Sequence, residues 1–315
     1  MSIHILDDYY LGITAIITFL YQLIICLIAF TLQAETVTDL GGGTNAALLA
    51  ILTLIFSQSY STRQIIATLF QIIWGLRLGF FCLYRMTRTG HGDSRFDEIR
   101  QHFSKLLAFF ILQMIWIWTI NLPLTFLNSP KINDSSEGLD QNFGSVTDIL
   151  GVILFIVGFL MESVADVQKL IFRTRRTSSK EFIKTGLWAW SRHPNYFGEI
   201  TILLMIYYYD YYLGSECFSN LRDKTTIVSI LSPIFTILIL LFLSGMPLNE
   251  RPAHIKQYKA GNWSEYSRRL SRTSCLIPFP PSLYEPLPQF IKSTLFLEFP
   301  MYRFDPDSNS QGNPV

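Results

Sequence analysis

Long apolar stretches recur along this chain, and they constrain its fold more than any other feature of the sequence. Each is close to the roughly 20 residues that a helix needs to cross the hydrocarbon core of a bilayer. They are continuously apolar rather than alternating, which is typical of membrane helices and not of membrane strands. The sequence therefore predicts an all-α polytopic membrane bundle with about seven transmembrane helices. The expected spans are residues 10–32, 46–60, 64–86, 103–127, 146–164, 197–213 and 225–245.

The scarcity of charge supports a membrane protein and excludes other classes. Only 16% of the 315 residues are charged, against about 25% in an ordinary soluble domain. The 25 basic and 24 acidic residues nearly cancel to a net charge of +1, so the basic surface of a nucleic-acid binder is missing. The four cysteines are scattered without paired spacing, which excludes a disulfide scaffold and a zinc module. We expect no metal site.

The basic residues collect in three segments: 85–105, 165–196 and 246–272. Because Lys and Arg are retained on the cytoplasmic side of membranes, these segments are expected to face the cytoplasm. The connection 33–45 is expected on the same side. An odd number of spans then leaves the C-terminus in the cytoplasm. Because the basic segments face this side, an anionic ligand would enter the bundle from the cytoplasm.

One acidic and two basic residues share a face of the helix that continues the fifth apolar stretch. Asp166, Lys169 and Arg173 are spaced i, i+3, i+7, which aligns them along a helix. This face is cationic, and its simplest interpretation is an anchor that holds the helix at lipid headgroups. Arg88 and Arg95 follow the third stretch. They are expected either to form salt bridges that cover the cytoplasmic opening of the helix bundle or to contact a ligand phosphate.

The run 188–199, Trp-Ala-Trp-Ser-Arg-His-Pro-Asn-Tyr-Phe-Gly-Glu, is the most polar and aromatic part of the same region. Pro194 disfavours helix at His193 and suits a first helical turn, so a new span is predicted to begin there. Arg192 offers a planar donor fork and either Trp188 or Trp190 a stacking surface, which suit a phosphate-bearing aromatic ligand. Glu199 would lie inside the span, where a carboxylate is costly unless it faces a polar cavity. The alternative is an interfacial aromatic belt with an Arg anchor.

A third cluster follows the last apolar stretch. His254 and Tyr258 are spaced i, i+4 and share a helix face. A tyrosine next to a base or cation is a suitable proton donor. The alternative is an amphipathic helix that lies along the membrane surface.

Together these segments resemble the C-terminal domain of membrane steroid 5-alpha-reductases and sterol C14/C7 reductases, and most closely the DUF1295 branch of that superfamily. The resemblance covers roughly residues 75–281. The motifs that carry it are GLRLGFFCLYRMTRTGHGDSRFDEIR at 75–100, DVQKLIFR at 166–173, SRHPNYFGE at 191–199, SGMPLNE at 244–250 and YKAGNWSEYSRRLSRTSCLIPFPP at 258–281.

The resemblance implies an enzyme that transfers hydride from NADPH to an activated C=C bond of a steroid, sterol or other lipid within the bilayer, as a 3-oxo-5-alpha-steroid 4-dehydrogenase does. In a eukaryotic cell it implies the endoplasmic reticulum. It divides the chain into N-terminal helices at 1–73, a catalytic domain at 74–285 and a partly disordered tail at 286–315. Tyr258, and after it Tyr266, would supply the proton, with His254 and Glu199 beside them. The implied cofactor contacts are Lys169, Arg173, Trp188, Arg192, His193, Asn195, Tyr196, Glu199, Arg88 and Arg95.

Two other functions remain open on the sequence. The isoprenylcysteine and phospholipid N-methyltransferases share the fold and the RHPxY signature and bind S-adenosylmethionine. They usually carry an acidic pair in the polar cluster after the next span, whereas Glu250 here stands alone in Leu-Asn-Glu-Arg. The other possibility is a non-catalytic lipid-binding relative that has kept the pocket.

Overall fold

A computed structural model of the chain describes residues 2–33, 36–89, 101–134, 143–178, 180–217 and 228–306, and of residues 36, 89 and 206–217 only the backbone. The part of the chain in these ranges is helical and contains no strand, only two isolated β-bridges. The all-α prediction is therefore confirmed.

Thirteen α-helices are described within these ranges, together with 3-10 turns at Gly186–Ala189 and Pro300–Tyr302. The α-helices are Leu11–Leu32 (α1), Thr36–Ser57 (α2), Thr62–Thr89 (α3), Phe103–Ile120 (α4), Leu122–Leu127 (α5), Pro130–Asn133 (α6), Val146–Arg175 (α7), Pro194–Cys217 (α8), Leu231–Leu238 (α9), Met246–Lys259 (α10), Trp263–Arg272 (α11), Pro281–Tyr284 (α12) and Gln289–Thr294 (α13). A π-helical turn, Ile239–Leu243, continues α9.

Six helical stretches among the described residues are long and apolar enough to cross a membrane, close to the seven expected. They are Leu11–Leu32, Val37–Ser57, Thr62–Arg88, Phe103–Ile120, Val146–Arg175 and Leu231–Lys259. The remaining expected span, 197–213, lies in α8, whose side chains are described only as far as Met205. The protein is thus an integral membrane protein of multiple helices.

The chain forms two compact units, each discontinuous in sequence. The first comprises Met1–Ile156 and Ile202–Thr236, and the second Val157–Thr201 and Ile237–Val315. The boundaries predicted at 73/74 and 285/286 stay predictions.

In the first unit, glycines allow α2 and α3 to approach closely. A Cβ added at Gly43 would lie 2.1 Å from the carbonyl oxygen of Gly75, so only glycine fits at this crossing. The sequence predicts a connection over residues 33–45. This prediction is wrong, because α2 already begins at Thr36. The same unit buries an ion pair, in which Arg63 donates through Nε and NH2 to the two carboxylate oxygens of Asp148 at 2.8 and 2.9 Å.

The core of the second unit is built from the end of the last span and the chain that follows it. Leu240, Leu241 and Met246 pack there with Cys275, Leu276 and Tyr302. The crossing of α7 and α8 is tight at Gly198, where a Cβ would lie 2.7 Å from the carbonyl oxygen of Gly158. The segment 286–306, assigned by the sequence to a tail, is part of this packed unit.

Candidate functional site

The connection between α7 and α8 is fixed to α7 by backbone and side-chain hydrogen bonds. Gly186 has a φ of 62° beside the Gln168 amide, and Gln168 Oε1 accepts from the Leu187 N–H at 3.0 Å. The indole N–H of Trp188 donates to the carbonyl of Ala165 at 2.9 Å. Lys169 Nζ lies 4.9 Å above the Trp188 ring, a cation–π contact. The buried Trp188 is thus held with an ammonium group on one face.

Residues 191–193 are held against the chain segment that follows α11. The Arg192 N–H donates to the Ser274 carbonyl at 2.8 Å, and the Ser191 hydroxyl donates to the Leu276 carbonyl at 2.6 Å. The Ser191 oxygen in turn accepts from the His193 N–H at 3.0 Å. Helix α8 then begins at Pro194, as the sequence predicts. These contacts direct the Arg192 and His193 side chains into the second unit.

A charged cluster lies at the centre of the second unit, built around Glu250 on α10. Glu250 Oε1 is 2.8 Å from His193 Nε2, and Oε2 is 3.4 Å from Arg192 Nε and 3.5 Å from His254 Nε2. Arg192 also donates from NH2 to Glu298 Oε1 at 3.2 Å. The Glu298 Oε2 accepts from the Tyr284 hydroxyl at 2.8 Å. One buried guanidinium therefore serves two carboxylates.

Several polar atoms of this cluster are buried without a hydrogen-bond partner in the described part of the chain. They are Arg192 Nε, Glu250 Oε2, His193 Nδ1 and both ring nitrogens of His254. Asn195 Oδ1, two residues after His193 in the chain, is also buried without such a partner. The contacts at 3.4 and 3.5 Å are close enough for ionic attraction but lack hydrogen-bond geometry. Buried polar groups in native proteins are nearly always paired, so such a concentration points to a missing partner.

Burial sets the protonation of the cluster. It lowers the pKa of His193, an effect that the hydrogen bond to the Glu250 carboxylate only partly offsets. A neutral His193 donates its Nε2 proton to Glu250, which leaves Nδ1 as an acceptor. Burial also disfavours the charged form of Arg192, but the nearby thiol of Cys275 and the carboxylates of Glu250 and Glu298 raise its pKa well above the usual value.

Aromatic rings enclose two sides of the histidines. The rings of His193 and Tyr196 are stacked, with centroids 5.1 Å apart and planes 1° from parallel. Asn249 Nδ2 donates to the Tyr196 hydroxyl at 2.9 Å. On the other side the His254 ring is 5.7 Å from that of Tyr266. Tyr266 is buried, and burial raises its pKa to about 12.

The structure brings some of the predicted residues together and separates others. Arg192, His193 and His254 meet at Glu250, and Lys169 meets Trp188. Arg173 lies on the exposed end of α7, Glu199 is half-buried on α8, and the Tyr258 ring is 42% exposed. Arg88 belongs to the first unit, where its Nε donates to the Tyr84 hydroxyl at 3.0 Å. Arg95 lies outside the described residues.

Two residues of the cluster were not assigned to it from the sequence. Glu250 lies four residues before His254 on α10, a spacing that would have placed both on one face. Glu298 comes from the segment after α13, and no local pattern signals its contact with Arg192. The phosphate contact predicted for Arg192 stays a prediction.

Comparison with known proteins gives one match. No curated protein and no solved structure is significantly similar to the chain. A family model described as "Protein of unknown function (DUF1295)" matches residues 25–270. The matched residues include α2 to α10, most of α11 and, of the charged cluster, Arg192, His193, Glu250 and His254. The chain therefore belongs to the DUF1295 family.

Proposed function

We propose that the protein is a membrane reductase that uses NADPH to reduce a polarised C=C bond of a steroid, sterol or other lipid. The observation that carries this proposal is the buried cluster of Arg192, His193, Glu250 and His254, with its polar atoms that lack partners. A polar ligand would complete the hydrogen bonds of such a set. The cationic end of α7 in the same unit supplies the charge that an anionic ligand needs.

The chemistry of these residues fits NADPH. Its carboxamide and ribose hydroxyls both donate and accept, which matches the acceptor at His193 Nδ1, the acceptor at Asn195 Oδ1 and the ring nitrogens of His254. Its phosphates require cations, and Lys169 and Arg173 on α7 are the proposed partners. When bound, the cofactor supplies a hydride for the electron-poor carbon of the substrate.

The remaining residues position the site and supply a proton. Arg192 holds the Glu250 and Glu298 carboxylates, and Glu250 fixes the orientation of His193. Tyr258, one helical turn after His254, is the proposed proton donor to the carbon next to the one that receives the hydride, with Tyr266 second. Exclusion of water from such a site strengthens the interactions on which hydride transfer depends.

A methyltransferase that binds S-adenosylmethionine is the second candidate, and one structural observation favours it. Glu250 and Glu298 both lie at Arg192, so the cluster contains the pair of carboxylates that the sequence alone did not reveal. Carboxylates of this kind suit the positive charge of a sulfonium ligand.

The test is to measure binding of NADPH and S-adenosylmethionine in parallel to the purified full chain in detergent. We expect NADPH to bind and Arg173→Gln to weaken it about tenfold, the effect of losing a charged hydrogen bond worth roughly 1.4 kcal/mol. The matched control is Arg175→Gln, which removes an exposed cation from a different face of α7. Asn195→Leu should also weaken binding. Binding of S-adenosylmethionine with none of NADPH would contradict the proposal.

A further inference from the structure

The segment after α11 has one side that packs on the second unit and one that is exposed and apolar. Tyr284, Phe296 and Tyr302 are buried. Their neighbours Phe290 and Leu295 are 74% and 62% exposed. Leu283 and Met301 are exposed as well, so exposed apolar side chains recur along the segment 283–301, with the exposed Glu285, Gln289 and Thr294 between them.

The polarity of this surface is the reverse of that on a protein that faces water. In α13 the cation Lys292 is turned inward, where its Nζ donates to the carbonyls of Ser271 and Glu285 at 3.0 and 3.1 Å. It also lies 4.6 Å above the ring of the buried Tyr284. Phe290, two residues earlier, is turned outward. Lysine is rarely buried and large apolar residues are seldom exposed in clusters, so the outer side does not suit water.

The segment also contacts the exposed side of the last membrane span. Phe242, in the π-helical turn within this span, is 46% exposed and stacks on Phe299 with ring centroids 5.4 Å apart. The Tyr302 hydroxyl donates to the carbonyl of Leu241 in the same turn. Leu238 and Leu243 of the span are exposed beside them.

We propose that the segment 283–301 lies in the interfacial layer of the bilayer, with Leu283, Phe290, Leu295 and Met301 inserted among the lipids. The lipid surface is the occupant that this arrangement fits, because the segment contacts the exposed side of a membrane span. Short apolar segments of this kind bind at the boundary between headgroups and acyl chains. The same segment carries Glu298 to Arg192. The proposal does not depend on the activity proposed above.

The test uses the full chain in lipid vesicles with a fluorescent thiol label at one introduced cysteine. Phe290→Cys and Leu295→Cys probe the segment, and Ser264→Cys, at an exposed polar position of α11, is the matched control. The unsubstituted chain, labelled in parallel, gives the background from its native cysteines. All three sites are exposed, so the variants should retain the fold.

We expect brominated phospholipids to remove most of the fluorescence at positions 290 and 295 and little of it at 264. Aqueous iodide should give the opposite order. Quenching by iodide at 290 and 295 as strong as at 264, with no effect of brominated lipid, would overturn the proposal.

Discussion

Replacement of Arg192 tests the charged cluster by its energetics. The Arg192 and Glu250 side chains are only 2% and 5% exposed, so Arg192→Met leaves Glu250 buried with its principal cation removed. Loss of one partner of a buried pair costs about 3–5 kcal/mol. At roughly 4 °C per kcal/mol for a unit of this size, the melting temperature should fall by about 12–20 °C. Thermal unfolding followed by circular dichroism in detergent measures the shift.

An exposed ion pair in the same unit provides the matched control. Arg272 Nε is 3.0 Å from Glu285 Oε2, but these side chains are 44% and 48% exposed. Solvent screens such a pair, so Arg272→Met should cost less than about 1 kcal/mol. The double substitution Arg192→Met with Glu250→Gln should restore part of the stability, because the neutral amide needs no counter-charge. A shift for Arg192→Met no larger than that for Arg272→Met would refute the reasoning.

Two further predictions concern packing and pH. Gly43→Val should destabilise the first unit by about 1–3 kcal/mol or more, because the valine side chain meets the Gly75 backbone. The control in the same unfolding assay is Ile51→Val, at an exposed position of α2. An equal effect of the two substitutions would contradict this prediction. Burial lowers the pKa of His193 in the folded protein, whereas in the unfolded chain this histidine has its ordinary pKa of about 6.5. Below that pH the unfolded chain binds more protons than the folded protein, so stability should fall as the pH drops below about 6.5. His193→Gln should flatten this dependence between pH 7.5 and 5.5, and an unchanged slope would show that His193 is not the group responsible.

The sequence predicts the helices well where a single physical rule applies. Apolar length alone locates the membrane helices, because a bilayer of fixed thickness imposes it. Pro194 marks the start of α8, since a proline ring is best accommodated in the first turn of a helix. Apolar length does not predict the helix at Gly41–Gly43. Glycine in a helix is costly to an isolated helix, and only the contact with Gly75 on another helix explains why α2 continues through these residues.

The site is predicted less completely, because part of it depends on contacts distant in sequence. Arg192, His193 and His254 stand in polar runs that mark them as candidates. Glu298 lies 106 residues after Arg192, in a run whose other members are apolar. Leu297, next to Glu298, has a φ of 58°. This left-handed conformation turns the chain there, and nothing local in the sequence signals the turn.

The most direct test of the central claim is the transfer of a labelled hydride. The full chain in lipid vesicles is incubated with lipids from cells that lack it and with NADPH that carries deuterium at its transferable position. Mass spectrometry should find a lipid that has gained one deuterium and one hydrogen, and that product should be lost with Asn195→Leu but not with Arg175→Gln. Absence of deuterium from every lipid, together with transfer of a labelled methyl group from S-adenosylmethionine, would contradict the account.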